Sequence, residues 1–255
     1  MSPDGGSIRL DGRVAVVTGG TRGIGRAIAR KLATAGADVH ATYREDAVAA
    51  REAADTPGLK GSLTVTQADV NDLQAMTRVL RGAHDRHGRL DIVVHNVASW
   101  HPMPTLAARL DALQTDVATA VGPLLRLAPL IAGLMDGDQA GGRIVAVSSS
   151  GARSVIPQYV GLAAAKAALE ATIRYLAADL APRGISVNAV STAKVDKGDD
   201  TVNAQLIPAL AARTPGGRLT RPEDVADAVA LLVSDEAGWI QGQVLTVDGG
   251  LSLRG

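Results

Sequence analysis

Apolar and polar positions along the chain alternate between short unbroken apolar runs and longer stretches of helical period. Arg13 to Val17 is apolar up to Thr18-Gly19-Gly20, the pattern of a strand buried on both faces. Ile24 to Ala35 follows with Ile28, Ala29 and Leu32 at core spacing and Gly36 at the stop position of a helix. Asp38 to Tyr43, Ser62 to Gln67, Asp91 to His95, Arg143 to Val147, Ile185 to Val190 and Gln243 to Val247 read as further strands. Between them Glu45 to Ala54, Asp72 to His84, Leu106 to Met135, Ala163 to Leu180 and Glu223 to Val233 read as helices. The longest of these contains Pro123 and Pro129, which predict a kink or a break. Strand and helix in steady alternation predict an α/β chain with a doubly wound parallel sheet and right-handed crossovers. No repeat, low-complexity segment or linker divides it, so a single domain is expected.

Composition narrows the partners. Of 255 residues 46% are hydrophobic, enough for a core that buries roughly three quarters of the unfolded surface. Lys+Arg 26 against Asp+Glu 26 leave no net charge to draw nucleic acid or an acidic membrane. With no cysteine there is no disulfide, thiolate catalyst or cysteine-bound metal. Phenylalanine is absent too, so aliphatic side chains pack the core and few rings remain for stacking on single strands. No apolar run reaches the length of a membrane span, and Met1 to Gly6 lacks a signal pattern, so a cytoplasmic protein is expected. His84 and His87 lack ligand spacing to a carboxylate cluster, and no metal is assigned.

The first chemical motif is Thr18-Gly19-Gly20-Thr21-Arg22-Gly23-Ile24-Gly25, between the first strand and the first helix. Glycines there let backbone approach a pyrophosphate, and the helix start offers N–H groups and a positive dipole end. Candidate cofactor contacts are Gly19, Thr21, Arg22, Gly23, Ile24 and Gly25. A free ribose 2′-hydroxyl is usually met by an acid at the end of the second strand, but here that end is Tyr43-Arg44. Arg22 and Arg44 suit a 2′-phosphate, so NADPH is expected over NADH. Glu45 and Asp46 come one or two positions late and open the next helix.

The second motif runs from Ser148 to Lys166. It joins the fifth strand to a long helix and holds serine hydroxyls, the Tyr159 hydroxyl and the Lys166 ammonium. Seven residues rotate a helix by about 700°, so Tyr159 and Lys166 share a face about 10.5 Å apart along the axis, provided the helix begins by Tyr159. Pro157 favours an early start.

Over nearly its whole length the chain resembles the short-chain dehydrogenase/reductase family, with its Rossmann-type sheet. The resemblance rests on Thr18-Gly19-x-x-x-Gly23-Ile24-Gly25, Ala68-Asp69-Val70, His95-Asn96-Val97-Ala98, Ser148-Ser149, Lys166-Ala167-Ala168-Leu169-Glu170, Ser186-Val187-Asn188-Ala189-Val190 and Val247-Asp248-Gly249-Gly250. It implies that Asp69 and Val70 flank the adenine, that Asn96 and Ala98 lie beside the adenosine ribose, and that Lys166 holds the nicotinamide ribose. It also implies a homotetramer built through the fourth and fifth helices.

Departures from the family pattern are more informative. The usual tyrosine stands four residues before the lysine, where this chain has Leu162. A tyrosine seven before the lysine is similar to the type III enoyl-(acyl-carrier-protein) reductases, as are Tyr159 to Pro182, Asn188 to Ser191 and Thr214 to Arg218. The assisting serine is Ser149 if counted back from position 162, or Ser148 if counted from Gly151. The family's asparagine on the fourth helix falls at Asp116. Trp100, His101 and Met103 are expected at the substrate mouth; His101, beside a proline, reads as a surface residue, with an alternative acid as the competing reading. Asp196 to Gln205 falls in the family's substrate loop, expected over about 192–217.

Three functions follow as expectations. The first is an NADPH-dependent reductase of a carrier- or CoA-bound enoyl chain, with Tyr159 stabilising the enolate oxygen, Lys166 orienting the ribose and Ser149 assisting. The second is a ketoreductase, or a quinone or polycyclic reductase, of a specialised pathway. The third is a non-catalytic NADP-binding protein, favoured by Asp116 and Leu162.

Overall fold

A computed structural model describes residues 8–136, 141–198 and 207–253. Among them β1 (Val14–Val17), β2 (Asp38–Tyr43), β3 (Ser62–Gln67), β4 (Ile92–His95), β5 (Arg143–Ser149), β6 (Ser186–Thr192) and β7 (Val244–Val247) form one sheet, in the order β3-β2-β1-β4-β5-β6-β7. Every neighbouring pair is parallel. The helices are α1 (Gly23–Thr34), α2 (Ala47–Ala54), α3 (Leu73–His87), α4 (Leu110–Met135), α5 (Val160–Leu180), α6 (Ile207–Arg213) and α7 (Pro222–Val233).

The period of two along β1 divides the core between two layers. Val14 and Val16 face a layer with Leu80 of α3, Leu124 and Ile131 of α4, and Leu169 and Ile173 of α5. Ala15 and Val17 face the opposite layer, with Ile28 and Leu32 of α1 and Val225 and Val229 of α7. The central strands β1, β4, β5 and β6 are buried nearly throughout, while the edge strands β3 and β7 keep exposed positions.

Strand order reverses between β1 and β4, where Val17 pairs with Val94. The loops leaving these two strands therefore diverge to either side and leave a crevice at the carboxyl edge, the place where this architecture takes ligands.

The structure differs from the expected elements at several points. Helix α4 runs unbroken through Pro123 and Pro129. Each proline removes only one N–H, and the burial of Leu124, Leu127 and Ile131 holds the helix across both. It starts at Leu110 rather than Leu106, because Thr105–Ala107 forms a separate 3₁₀ turn followed by extended backbone at Ala108 and Arg109. By length and composition α4 alone among the described helices could cross a membrane, contrary to the sequence expectation; its Leu124, Leu127 and Ile131 instead fill the core. Helix α5 begins at Val160 rather than Ala163, and β5 and β6 extend two residues further, to Ser149 and Thr192. The acids after β2 separate: Asp46 caps α2 through Ala49 N, and Glu45 pairs with Arg44.

Candidate active site

The glycine loop is shaped by contacts that only glycine permits. Gly19 and Gly23 have φ of +63° and +51°, in the left-handed region. A Cβ at Gly25 would lie 2.0 Å from Gly19 O and 2.6 Å from Asn96 Nδ2, so the first turn of α1 packs directly on loop backbone. Asn96 fastens the loop to β4: Nδ2 donates to Thr18 O and Gly19 O, each at 3.2 Å, and its own N–H donates to Thr18 Oγ1 at 3.0 Å. No side chain caps the start of α1, where Arg22 stands extended and exposed. Thr21 is buried and Ile24 half-buried beside it. The free N–H groups and dipole of this turn fit a phosphate anion, and the missing Cβ atoms leave room for its approach.

Around this loop stand the other expected contacts. Tyr43 ends β2 half-buried, and the exposed Arg44 guanidinium meets Glu45 at 2.8 Å. Asp69 is half-buried with Oδ1 accepting from Asn71 N, Val70 is buried, and Ala98 is exposed. Sequence reasoning placed Lys197 only in a polar loop. Its Cδ and Cε methylenes are in fact the nearest atoms to a Cβ built at Gly23, at 3.6 and 3.9 Å, so its stem lies over the start of α1. Residues 199–205 of the expected Asp196 to Gln205 loop, Asp199 and Asp200 among them, lie outside the described residues.

Across the crevice, the end of β5 and the start of α5 gather the reactive side chains. Successive residues of a strand point to opposite faces, and this separates the two candidate serines. Ser148 is buried and donates to Glu170 Oε1 at 2.8 Å, while Glu170 Oε2 also receives Arg153 Nε at 3.1 Å. Ser149 Oγ instead accepts from Gly151 N and from the Tyr159 hydroxyl, both at 3.2 Å. Ser149 is therefore the serine beside Tyr159.

Tyr159 is the N-cap of α5, with φ −112° and ψ 5°, so the shared-face geometry of a fully helical Tyr-to-Lys segment is interrupted at its first residue. Gln158 before it is the one described non-glycine residue with positive φ, at +59°. Such a conformation costs about 1–2 kcal/mol and is held here by Met103 N donating to Gln158 O at 3.1 Å. The tyrosine ring lies over Gly151, where a Cβ would come within 2.5 Å of Cε1. Trp100 stands near the same ring, centroids 6.2 Å apart and planes tilted by 49°. Burial and the nearby Asp116 carboxylate push the Tyr159 phenol above its usual range, while the Ser149 bond acts in the opposite sense.

Leu162, at the position four before the lysine, is buried against Ala120 and Ala165, with Val117, Val121 and Tyr159 around them. Lys166 is almost fully buried and donates from Nζ to Val147 O at 2.6 Å. Burial brings its pKa down to about 8. His95, one strand away, is buried with Nε2 bonded to Ala120 O at 3.1 Å. Burial and the Lys166 charge lower its pKa to about 3, so it is neutral and Nε2 carries the proton.

The loop after β4 departs from expectation. His101 is half-buried, not a plain surface residue: its Nδ1 lies 2.8 Å from Asp116 Oδ1 and its backbone N–H donates to Oδ2 at 3.3 Å. Asp116 has no exposed surface. A signal for this pair existed, since Asp116 falls on the apolar stripe of α4 with Ala112, Ala120 and Pro123, and a buried carboxylate needs a partner. Met103, expected at the mouth, is buried, and a Cβ at Gly161 would meet both its Cε at 2.4 Å and Asp116 Oδ2 at 2.8 Å. No group of three His, Asp or Glu side chains among the described residues is placed to hold a metal.

Known proteins resemble the chain over nearly its whole length. The enoyl-(acyl carrier protein) reductase family model matches residues 19–252. The chain is 36% identical over 247 residues to 1-cyclohexenylcarbonyl-CoA reductase of Streptomyces collinus, over 94% of this chain and 87% of that protein. A short-chain dehydrogenase of Burkholderia cenocepacia, solved in complex with NADP, matches with a TM-score of 0.86 at 34% identity, covering 96% of this chain and 99% of that one. A 7α-hydroxysteroid dehydrogenase solved with NADH and 7-oxo glycochenodeoxycholic acid matches with a TM-score of 0.87 at 30% identity, covering 95% of each chain.

Proposed function

The chain belongs to the short-chain dehydrogenase/reductase family of oxidoreductases, and we propose that it reduces α,β-unsaturated acyl thioesters with NADPH. The observation that carries this reading is the exchange at the start of α5. A buried Leu162 stands four residues before Lys166, and the only nearby phenol, Tyr159, is bonded to Ser149 one turn further out. In ketone reduction the acid must adjoin the carbon that receives hydride. In enoyl reduction negative charge develops on the thioester oxygen, several atoms from the β-carbon, and a more distant hydroxyl suits it.

A bound reduced nicotinamide supplies the hydride. Tyr159, kept protonated by burial and by Asp116, turns its hydroxyl from Ser149 to the thioester oxygen, and Ser149 can then donate back to the phenol oxygen. Lys166, fixed by Val147 O, orients the nicotinamide ribose and places positive charge beside the reacting oxygens. Gly19, Thr21, Gly23, Ile24 and Gly25 receive the pyrophosphate, Asp69 and Val70 the adenine, and Asn96 and Ala98 the adenosine ribose. Arg22 and Arg44 take a 2′-phosphate, the exposed Arg44–Glu45 pair being weak enough to exchange partners. The chain works as one cytoplasmic domain with its substrate loop at about 192–217. It assembles as a homotetramer through α4 and α5, whose outer faces expose Leu125 and Tyr175.

A second reading, reduction of a ketone or quinone, draws on the oxosteroid relative. Purified protein with NADPH and crotonyl-CoA, followed by cofactor absorbance, separates the two. Turnover supports the thioester reading; turnover of a ketone alone sinks it. NADPH binding with neither reaction would make the chain a non-catalytic binding protein.

A further inference from the structure

Asp116 and His101 form a hydrogen-bonded pair beside Tyr159, and His101 has no part in the proposed reaction so far. Asp116 is wholly buried on α4, and its two oxygens receive the backbone N–H and the ring Nδ1 of a single residue, His101. A carboxylate only accepts, so Nδ1 carries a proton in either charge state of the ring, and Nε2, the outward nitrogen, carries the second proton of the imidazolium. Among the described residues Nε2 has no hydrogen-bond partner, and the side chain is 38% exposed.

Three contacts bring this pair to Tyr159. Trp100, next in sequence, lies against the tyrosine ring; Met103 bonds to Gln158 O; and Gly161, two residues beyond Tyr159, lacks the Cβ that would collide with Asp116 Oδ2. The carboxylate also contributes to the raised pKa of the phenol. His101 is thus anchored from behind by a buried acid and held in the same wall as the hydroxyl that faces the thioester oxygen.

We propose that His101 is a second catalytic acid, which delivers from Nε2 the proton that the α-carbon takes after reduction, and that Asp116 is its positioning residue. This rests on the thioester reading. A substrate whose β-carbon has gained hydride from a reduced nicotinamide is an enolate. Its electron pair forms the new bond between the α-carbon and the Nε2 proton of the imidazolium, the N–H pair returns to the ring, and the neutral imidazole recovers a proton at Nε2 from solvent at its exposed edge. Tyr159 meanwhile holds the oxygen, so oxygen stabilisation and carbon protonation fall to different residues. The Asp116 carboxylate stabilises the imidazolium and keeps Nδ1 occupied, so that only Nε2 can deliver.

The face of protonation tests this directly. Crotonyl-CoA reduced with NADPH in D₂O gains one deuterium at the α-carbon, and its configuration can be read by NMR. Wild-type protein is expected to give one configuration. His101→Gln, which keeps a polar side chain but cannot release a proton, is expected to lower kcat about 10²- to 10⁴-fold and to scramble the α-deuterium, with NADPH affinity unchanged. Asp116→Asn is expected to lose configurational purity in the same direction, again with NADPH affinity unchanged, which a merely structural role would not produce. Retention of both rate and single configuration in His101→Gln overturns the proposal while leaving the thioester reading intact. Failure of the wild type to reduce crotonyl-CoA overturns both.

Discussion

The two banks of the crevice are built from different materials. On the bank formed by β1, β2 and the start of α1, the decisive atoms are backbone: Gly19, Gly23 and Gly25 matter for the Cβ atoms they lack, and Asn96 works by bracing carbonyls. On the bank formed by β5, α5 and the loop after β4, the decisive atoms are side chains held by other side chains. Tyr159 packs near Gly151 and Trp100, Ser149 meets its hydroxyl, and Asp116 holds His101. On the proposed function the first bank accepts a phosphate group common to many cofactors, for which backbone N–H groups suffice. On the same proposal the second moves charge and protons at particular atoms of a particular substrate, which backbone cannot do.

Four measurements would break or sharpen that contrast. The largest effect is expected at the seam, where His95 ends β4 beside both banks. Its pKa is about 3 in the fold against 6.5 when unfolded, so below 6.5 the unfolded chain binds the extra proton and stability falls as pH falls towards 3. At about 1.4 kcal/mol per pH unit, that interval corresponds to on the order of 5 kcal/mol. Urea unfolding of the wild type and His95→Gln at pH 7 and pH 4 should show the wild type losing more; equal losses would mean that His95 is not the buried neutral group described.

Next comes Tyr159→Phe, expected to lower kcat about 10²- to 10³-fold while the dissociation constant for NADPH holds, since the lost hydroxyl belongs to the chemical bank alone. An unchanged kcat would remove Tyr159 from the reaction. Gly25→Ala should do the reverse. Its methyl would meet Gly19 O at 2.0 Å, and the loop must yield, weakening NADPH binding by about 100-fold, or about 2.8 kcal/mol. Fluorescence titration would detect this, and normal binding would show that the loop tolerates a side chain. Smallest is Lys197→Ala, expected to weaken NADPH binding about five-fold at low salt and less at high salt, as for an exposed cation near a phosphate. A salt-independent loss would show that the Lys197 stem acts by packing on Gly23 instead.

The same contrast governs how much was readable beforehand. The glycine bank announces itself in Thr18 to Gly25, because backbone requirements translate directly into residue type at consecutive positions. Lys166 and Tyr159 were also legible, as was the exchange at Leu162, since all lie on one short segment. Ser149 was one of two candidates until the strand's alternation turned Ser148 towards Glu170. The pairing of His101 with Asp116 was not legible. They stand fifteen positions apart with an element boundary between them, and each taken alone had an ordinary reading as a loop histidine and a substituted asparagine. Lys197 was likewise hidden, because its place over Gly23 depends on a return from β6 across the sheet edge.

Sequence alone determined the alternation of strands and helices, the parallel sheet and the glycine loop, because period, apolar run and glycine spacing are local properties that the backbone must obey. It also determined that the phenol stands seven positions before the lysine. Tertiary structure decided where the helix begins, and therefore that Tyr159 is a cap residue on strained backbone rather than part of the helix. It decided that α4 continues through two prolines, since burial outweighed two missing hydrogen bonds. And it decided which acid meets which base across the site, because a buried charge is satisfied by whatever the packing of distant segments brings within reach.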